Sequence, residues 1–348
     1  MSSTATTERR LRQLAEALAG KRRLLILTHD NPDPDCIASG WALIKVVRKV
    51  AGLKADLAYA GIIGRAENRT LARVLRVPIK PIEAVDLDDY DAFALVDSQP
   101  ETGNNSLPAG TPATVVVDHH PCRDATRAAA FYDVREEYGA TATILSEYLD
   151  AAEVKVEKKL ATAMFYAIKT ETLNLGREAS RADAKAFFRY FPIMDNEALS
   201  QIENPPISRA YFRMIDQAIE GTHLFGDVAI TRLGEVNNPD MVAQFADLMV
   251  RMEKIEWAVT IGRYGKDLLV SARTNLPLAN AGRVIQQVVG AEGKAGGHGM
   301  MAGGKIPGGA ETPKLANELE RKMKARALEL LGAKSRGVRL VPVRRSRS

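Results

Sequence analysis

Two hydrophobic rhythms alternate along this chain. Leu24–Leu27, Ala92–Val96 and Val115–Val117 are short unbroken apolar runs of the kind that form buried strands. Asp56–Tyr59 gives a further strand signal. Between them the spacing is helical. Glu8–Ala19 places Leu11, Leu14, Ala15 and Leu18 on one face and stops at Gly20. Cys36–Val50, Glu67–Leu75, Tyr138–Leu149 and Leu160–Ile168 also read as helices. Strands alternating with helices predict an α/β domain with a mainly parallel sheet flanked by helices. From Arg181 to Glu220 the pattern is helical but broken by Pro192 and Pro205-Pro206, which marks a connector. A second, smaller α/β unit follows. Its strands are expected near Asp227–Arg232, Trp257–Arg263 and Leu268–Ala272, and its helices near Met241–Met252 and Asn280–Val289. A Gly-rich loop, Ala295–Gly304, and a last helix, Thr312–Leu331, close it. The expected boundaries are 1–190, a connector 191–222, a second domain 223–332 and a tail 333–348.

The polar residues that interrupt these runs are chemically selective. The first strand opens into Thr28-His29-Asp30-Asn31-Pro32-Asp33-Pro34-Asp35, a loop that two prolines keep out of helix. The next buried strand ends on Asp97, and Val115–Val117 runs into Asp118-His119-His120. Carboxyl ends of strands are where open α/β sheets bind ligands. Of five histidines, His29, His119, His120 and His298 fall at strand ends or in the Gly-rich loop, and His223 matches no motif. An isolated His pair after a strand is more often a turn or a satisfied core imidazole. Here His29, Asp33, Asp35, Asp97, His119 and the carboxylate of Glu171 are expected at one sheet edge, where they would repel one another when empty. Divalent cations relieve that repulsion, and His/carboxylate donors suit manganese or a similar ion. Cys36 and Cys122 lie close to two of these loops, so a zinc–thiolate site is the alternative. The donors outnumber the needs of one ion. Two ions sharing a carboxylate would suit metal-assisted hydrolysis of a phosphate ester.

Composition narrows the partners. Apolar content of 46% and charged content of 26% are ordinary for a globular protein of 348 residues. No run approaches the ~18 apolar residues of a membrane span, and residues 1–10 have no apolar segment behind them, so neither a membrane helix nor a secretory signal is expected. Two cysteines make no disulfide framework and fit the cytoplasm. The net charge of +5 comes from the tail: six cations in residues 333–348 leave −1 for residues 1–332. The tail reads as a basic disordered end, with a non-specific phosphate or RNA contact as the functional alternative.

These motifs together resemble the DHH/DHHA1 phosphoesterases, over nearly everything from His29 to Lys305. The resemblance rests on His29-x-x-Pro32-Asp33-x-Asp35 with Ser39, Val96-Asp97, Asp118-His119-His120, and Gly296-Gly297-His298 with Ala302-Gly303. It implies an N-terminal DHH domain, a C-terminal DHHA1 domain, a cleft between them, and two manganese ions, with magnesium or cobalt as substitutes. By residue, it implies that His29 and Asp33 hold one metal, that Asp35 and His119 hold the other with Glu171, and that Asp97 bridges. It also implies that His120 contacts the phosphate and that Asp118 orients an imidazole. One position departs: Thr170-Glu171-Thr172 stands where the family has Thr-Asp-Thr, and the added bond of about 1.5 Å tests the second metal position. In the second domain Gly296, Gly297 and Gly303 would let backbone approach an anion, with His298 and Arg273 as side-chain contacts. The layout looks most like the soluble bacterial nanoRNase and 3′-phosphoadenosine-5′-phosphate phosphatase group. The expected substrates are therefore short RNA oligonucleotides or small phosphorylated nucleotides. A cyclic or linear dinucleotide phosphodiesterase is the alternative enzyme, and a nucleotide-binding regulatory protein the alternative of another class. A homodimer is an arrangement left open.

Overall fold

The structure, a computed structural model, describes residues 3–333 and 336–341 and resolves into two compact units, residues 1–206 and 207–348. In the first, strands β1 (Arg23–Leu27), β2 (Lys54–Tyr59), β3 (Ile79–Pro81), β4 (Ala92–Val96), β5 (Val115–Asp118) and β6 (Phe131–Val134) form one sheet. Every pairing is parallel, and the order is β3-β2-β1-β4-β5-β6. The chain therefore builds outward from β1 in one direction and then restarts beside β1 with β4. The carboxyl ends of β1 and β4 splay loops to opposite sides and leave a crevice between them. Helices α1 (Ser3–Ala17), α2 (Pro34–Ala51), α3 (Ala66–Leu75), α4 (Thr141–Ala151), α5 (Lys158–Glu171), α6 (Arg181–Tyr190) and α7 (Asn196–Glu203) complete the unit.

Its core follows from the runs that predicted the strands. Leu24 and Ile26 face one side with Ile37, Leu43, Val47, Ile144 and Met164, whereas Leu25 and Leu27 face the other with Leu95 and Val116. Both faces of β1 are thus apolar, as a parallel sheet covered on both sides requires. Asp33 starts α2 with strong local chemistry: its carboxylate accepts from the N–H groups of Asp35 and Cys36, and Pro34 occupies the first helical position.

The second unit begins with α8 (Arg209–Gly221), whose Met214 and Ala218 are buried in its own core. Strands β7 (Thr222–Phe225), β8 (Val228–Glu235), β9 (Trp257–Tyr264), β10 (Asp267–Thr274), β11 (Lys294–His298), β12 (Met301–Ile306) and β13 (Val338–Arg339) form the sheet β11-β12-β10-β9-β8-β7-β13. Among the described residues of this sheet, only β8 and β9 pair in parallel. Helices α9 (Asp240–Met249), α10 (Ala281–Val289) and α11 (Pro313–Leu330) cover it.

Three expectations change. The helical connector expected over 191–222 is divided between the units: α7 buries Leu199 and Ile202 in the first core, and α8 belongs to the second. The Gly-rich loop is a hairpin, in which Gly296 pairs with Gly303 and Gly297 with Ala302. The basic tail expected to be disordered contains β13, in which Val338 pairs with Leu224 and Arg339 with His223. Residues 334, 335 and 342–348 of that tail lie outside the described residues.

Candidate metal centre

The crevice between β1 and β4 receives side chains from four elements. The loop after β1 supplies His29 and Asp33, the first turn of α2 supplies Asp35 and Cys36, the residue after β4 is Asp97, and β5 leads into His119 and His120. Asp97 is 4% exposed and has φ +57°, a left-handed backbone that Asp tolerates better than most residues. That turn lifts its carboxylate off the strand and into the crevice. Its N–H still donates to Val117 O at 3.0 Å, so the strained residue stays fixed to the sheet.

Two groups of donor atoms converge, and Asp97 belongs to both. His29, Asp33, Cys36 and Asp97 form one; Asp97, His119 and His120 form the other; in each, the donors lie within 4.8 Å of one another. The imidazoles are preset for a cation. His29 Nδ1 lies 2.9 Å from Asp30 O and His119 Nδ1 3.1 Å from Tyr138 O, so each Nδ1 carries the proton. Each ring is thereby turned so that Nε2 faces into the crevice. His29 Nε2 faces Asp33 Oδ2 at 3.6 Å and Asp97 Oδ2 at 3.7 Å. His119 Nε2 faces Asp97 Oδ1 at 3.6 Å and Asp35 Oδ2 at 4.0 Å. A divalent cation lying between an Nε2 and these oxygens would bind both. The donor set therefore fits divalent metal ions.

The supporting shell is where sequence reasoning fell short. The first turn of α4 aims Thr141 N and Ala142 N at Asp35, each at 2.8 Å, and Thr141 Oγ1 donates to Asp97 Oδ1 at 2.9 Å. The helix was expected to start at Tyr138, which hid this role; the available signal was Gly139-Ala140-Thr141, a small-residue entry that brings a helix N-terminus up to carboxylates. Gln99 was also missed. Buried beside Asp118, it donates to Asp118 Oδ2 at 2.6 Å and to Pro121 O at 3.1 Å, and it accepts from Arg123 N and Thr126 Oγ1. It pins the turn that carries both histidines.

Charge in the crevice is uneven. Burial, then the neighbouring acids, push the Asp35 carboxyl well above its ordinary value. Burial likewise raises Asp97 and Glu171, against the opposing pull of His120 and His119 respectively. Burial acts against Asp33 too, but His29 and the Cys36 N–H overcome it and hold Asp33 below the usual carboxylate range. Burial disfavours a charged His120, yet Asp118 at 2.9 Å and then Asp97 raise it to about 10. His120 is thus a cation at neutral pH, and at 38% side-chain exposure it stands at the mouth of the site.

Residues 23–168 match the DHH family, N-terminal domain, and residues 226–325 match the DHHA1 domain. An uncharacterised protein of Methanocaldococcus jannaschii is 34% identical over 352 residues, covering 95% of this chain and 72% of that protein. The chain belongs to the DHH family. Members of that superfamily are metal-dependent phosphoesterases, and this chain is such a hydrolase. Its DHH domain is also similar to the manganese-dependent inorganic pyrophosphatase of Bacillus subtilis, 27% identical over 151 residues. That match covers 43% of this chain and 48% of the pyrophosphatase. An exopolyphosphatase-related protein from Bacteroides fragilis shares the fold, with a TM-score of 0.69 at 12% identity over 93% of this chain and 98% of that one. Among the described residues no helix is long and apolar enough to cross a membrane.

Within the DHH domain, His29, Asp33, Asp97, His119 and His120 fall in the two convergent groups, and Asp35 lies outside them with Oδ2 4.0 Å from His119 Nε2. Asp118 points to the N–H of His119 at 2.8 Å and to His120 Nδ1. Glu171 ends α5 close enough to interact electrostatically with Asp35, Asp97 and His119, but it is outside both convergent donor groups and lies 3.8 Å from Arg177 Nη2. In the DHHA1 domain Arg273 is turned onto Asp247, and it also donates to Ser271 Oγ at 2.8 Å and Ala272 O at 2.9 Å. Gly296 and Gly303 pair across the hairpin; a Cβ on Gly296 would meet open space and one on Gly303 only Val270 O at 3.8 Å. At these two positions the hairpin presents backbone alone.

Proposed function

We propose that this DHH protein is a manganese-dependent phosphoesterase that hydrolyses short RNA oligonucleotides to mononucleotides, and that it also removes a phosphate from 3′-phosphoadenosine 5′-phosphate. The observation that carries the reading is Asp97, a strained and buried carboxylate common to two convergent donor groups. His29 and Asp33 would hold one ion, His119 and Asp35 the other with Glu171, and Asp97 both. The manganese in the name of the Bacillus subtilis relative supports that metal. Bound there, divalent ions would neutralise the crowded carboxylates and bring the pKa of water from about 15.7 toward 7.

The protein's own residues do the rest. His120, cationic and exposed, is proposed to bind a phosphoryl oxygen and to stabilise the charge that develops on it. Asp118 fixes the ring of His120 through Nδ1, and Gln99 fixes Asp118. Thr141 and the first turn of α4 keep Asp35 and Asp97 oriented. In the DHHA1 domain, Gly296 and Gly303, the adjoining Gly297 and His298, and Arg273 are proposed to contact a nucleotide. Arg273 would exchange Asp247 for a phosphate. The location proposed is the cytoplasm, supported by two free cysteines.

The test is product release from a 5′-labelled RNA dinucleotide by purified protein with manganese, with a chelator and His119→Ala as controls. Metal-dependent cleavage lost in the variant supports the reading. Cleavage of cyclic dinucleotides alone would move the substrate to the alternative enzyme. One observation favours a binding protein instead: the ion pair that draws Glu171 toward Arg177. Nucleotide binding without turnover of any of these substrates would establish that second reading.

A further inference from the structure

Cys36 occupies a position that the phosphoesterase reading does not use. It is fully buried at the third residue of α2, and its thiol lies 3.4 Å from Asp33 O. A buried Cys in a first helical turn is ordinarily a small apolar filler. The side chains around this one are not apolar on every side. Its Sγ lies within 4.8 Å of donor atoms of His29, Asp33 and Asp97, which converge on one another as well. The His29 ring is turned by its Nδ1 contact so that Nε2 looks into the same space. The convergence thus comprises one nitrogen, two carboxylate oxygens and one sulfur.

Four donors of three kinds around one point make a mixed nitrogen, oxygen and sulfur set, which suits zinc-type ions. Manganese favours oxygen-rich, six-coordinate surroundings, and a thiolate shifts preference toward softer ions. The second group has no sulfur: Asp97, His119 and His120 offer only oxygen and nitrogen. The two positions are therefore chemically unequal. Without a metal, burial pushes the Cys36 thiol up to about 12, so an ion must displace its proton to bind the sulfur.

We infer that Cys36 is the fourth protein ligand of the metal position formed by His29, Asp33 and Asp97, and that this position holds zinc or cobalt in preference to manganese. The inference rests on the two-metal reading and refines it: one soft-tolerant position and one harder position share Asp97. As the Sγ–metal bond forms, the thiol S–H bond breaks and its proton passes to solvent, so charge and atoms balance without any oxidant.

Cobalt(II) titration of the metal-free, full-length protein tests this without reference to activity. The expected result is a near-ultraviolet thiolate-to-cobalt charge-transfer band alongside the visible ligand-field bands. Cys36→Ser should lose the near-ultraviolet band and keep the visible ones, and Cys122→Ser should keep both. In competition with manganese, zinc should lose about ten-fold or more of its advantage in Cys36→Ser, a change at least as large as loss of an outer-shell partner. Cys36→Ala serves if the serine variant does not fold, and the wild-type spectrum is decisive by itself. Visible bands without the near-ultraviolet band in the wild type would overturn the thiolate ligand and leave the metal centre standing. A band that vanishes in Cys122→Ser would overturn it equally. Folded protein that binds no cobalt would overturn the metal centre together with this inference.

Discussion

Thr141 joins two carboxylates of the site: its N–H reaches Asp35 and its hydroxyl reaches Asp97. Thr141→Val keeps the shape and the backbone donor but leaves a buried Asp97 oxygen short of a partner. Metal affinity should fall about 10–100-fold, with about 1–2 kcal/mol of stability lost. Isothermal titration with manganese checks the first figure, and unchanged affinity would show that the hydroxyl is idle. Proton linkage at the same residues has a definite sign. Asp35, Asp97 and Glu171 are raised on folding, so the metal-free protein keeps protons there to higher pH than the unfolded chain does. Their contribution favours the folded, metal-free state at low pH and is lost as pH climbs from about 4 through the raised values. Asp33 and Asp118 are lowered, and their contribution disappears only as pH falls below the ordinary carboxylate range. Metal must expel the protons on the raised acids, so apparent affinity should weaken as pH drops. Calorimetric titration in two buffers of different ionisation enthalpy should show net proton release; proton uptake would contradict the assignment. At this scale the candidate donors were legible because His29, Asp33, Asp97 and His119 each follow a strand. Gln99 and Thr141 were not, because their roles depend on a turn and a helix entry that only packing defines.

The hairpin β11–β12 shows what element-level reading misses. Glycines weaken strands in general, so Gly296-Gly297 and Gly303-Gly304 read as a loop. The fold uses them instead for close approach. Gly297 has φ +143°, and a Cβ there would stand 2.4 Å from Met301 O. Gly297→Ala should destabilise the second unit by about 2 kcal/mol or more, whereas Gly303→Ala, into open space, should change stability by less than about 1 kcal/mol. Thermal unfolding of the two variants side by side checks this, and equal shifts would refute it. Elsewhere the apolar runs located β1, β4 and β5 almost to the residue. They overlooked β3 and β6, which are edge strands of the first sheet and carry less apolar sequence.

Across the whole molecule, each unit has its own apolar core, and the prolines at 205 and 206 mark where one ends. Calorimetry should therefore resolve two unfolding transitions. Manganese at about 100 times its dissociation constant should raise the first unit's transition by about 5–10 °C and leave the second in place. A common shift of both transitions would mean that the units unfold together. The two-unit layout was legible in the alternation of strand and helix. The division of the connector between the units was not, because helical spacing reveals an apolar face but not the surface that it covers. The strand order has one further consequence. Asp35 and the α4 residue that fixes it stand 106 positions apart, and β4 reaches β1 only after the chain has left the sheet's first half and returned. No local fragment can assemble the whole site, so its two donor groups mature in sequence. A nascent chain that ends before His119 has the donors of the first group but not all those of the second, and one that ends before Thr141 lacks the contacts that orient Asp35 and Asp97.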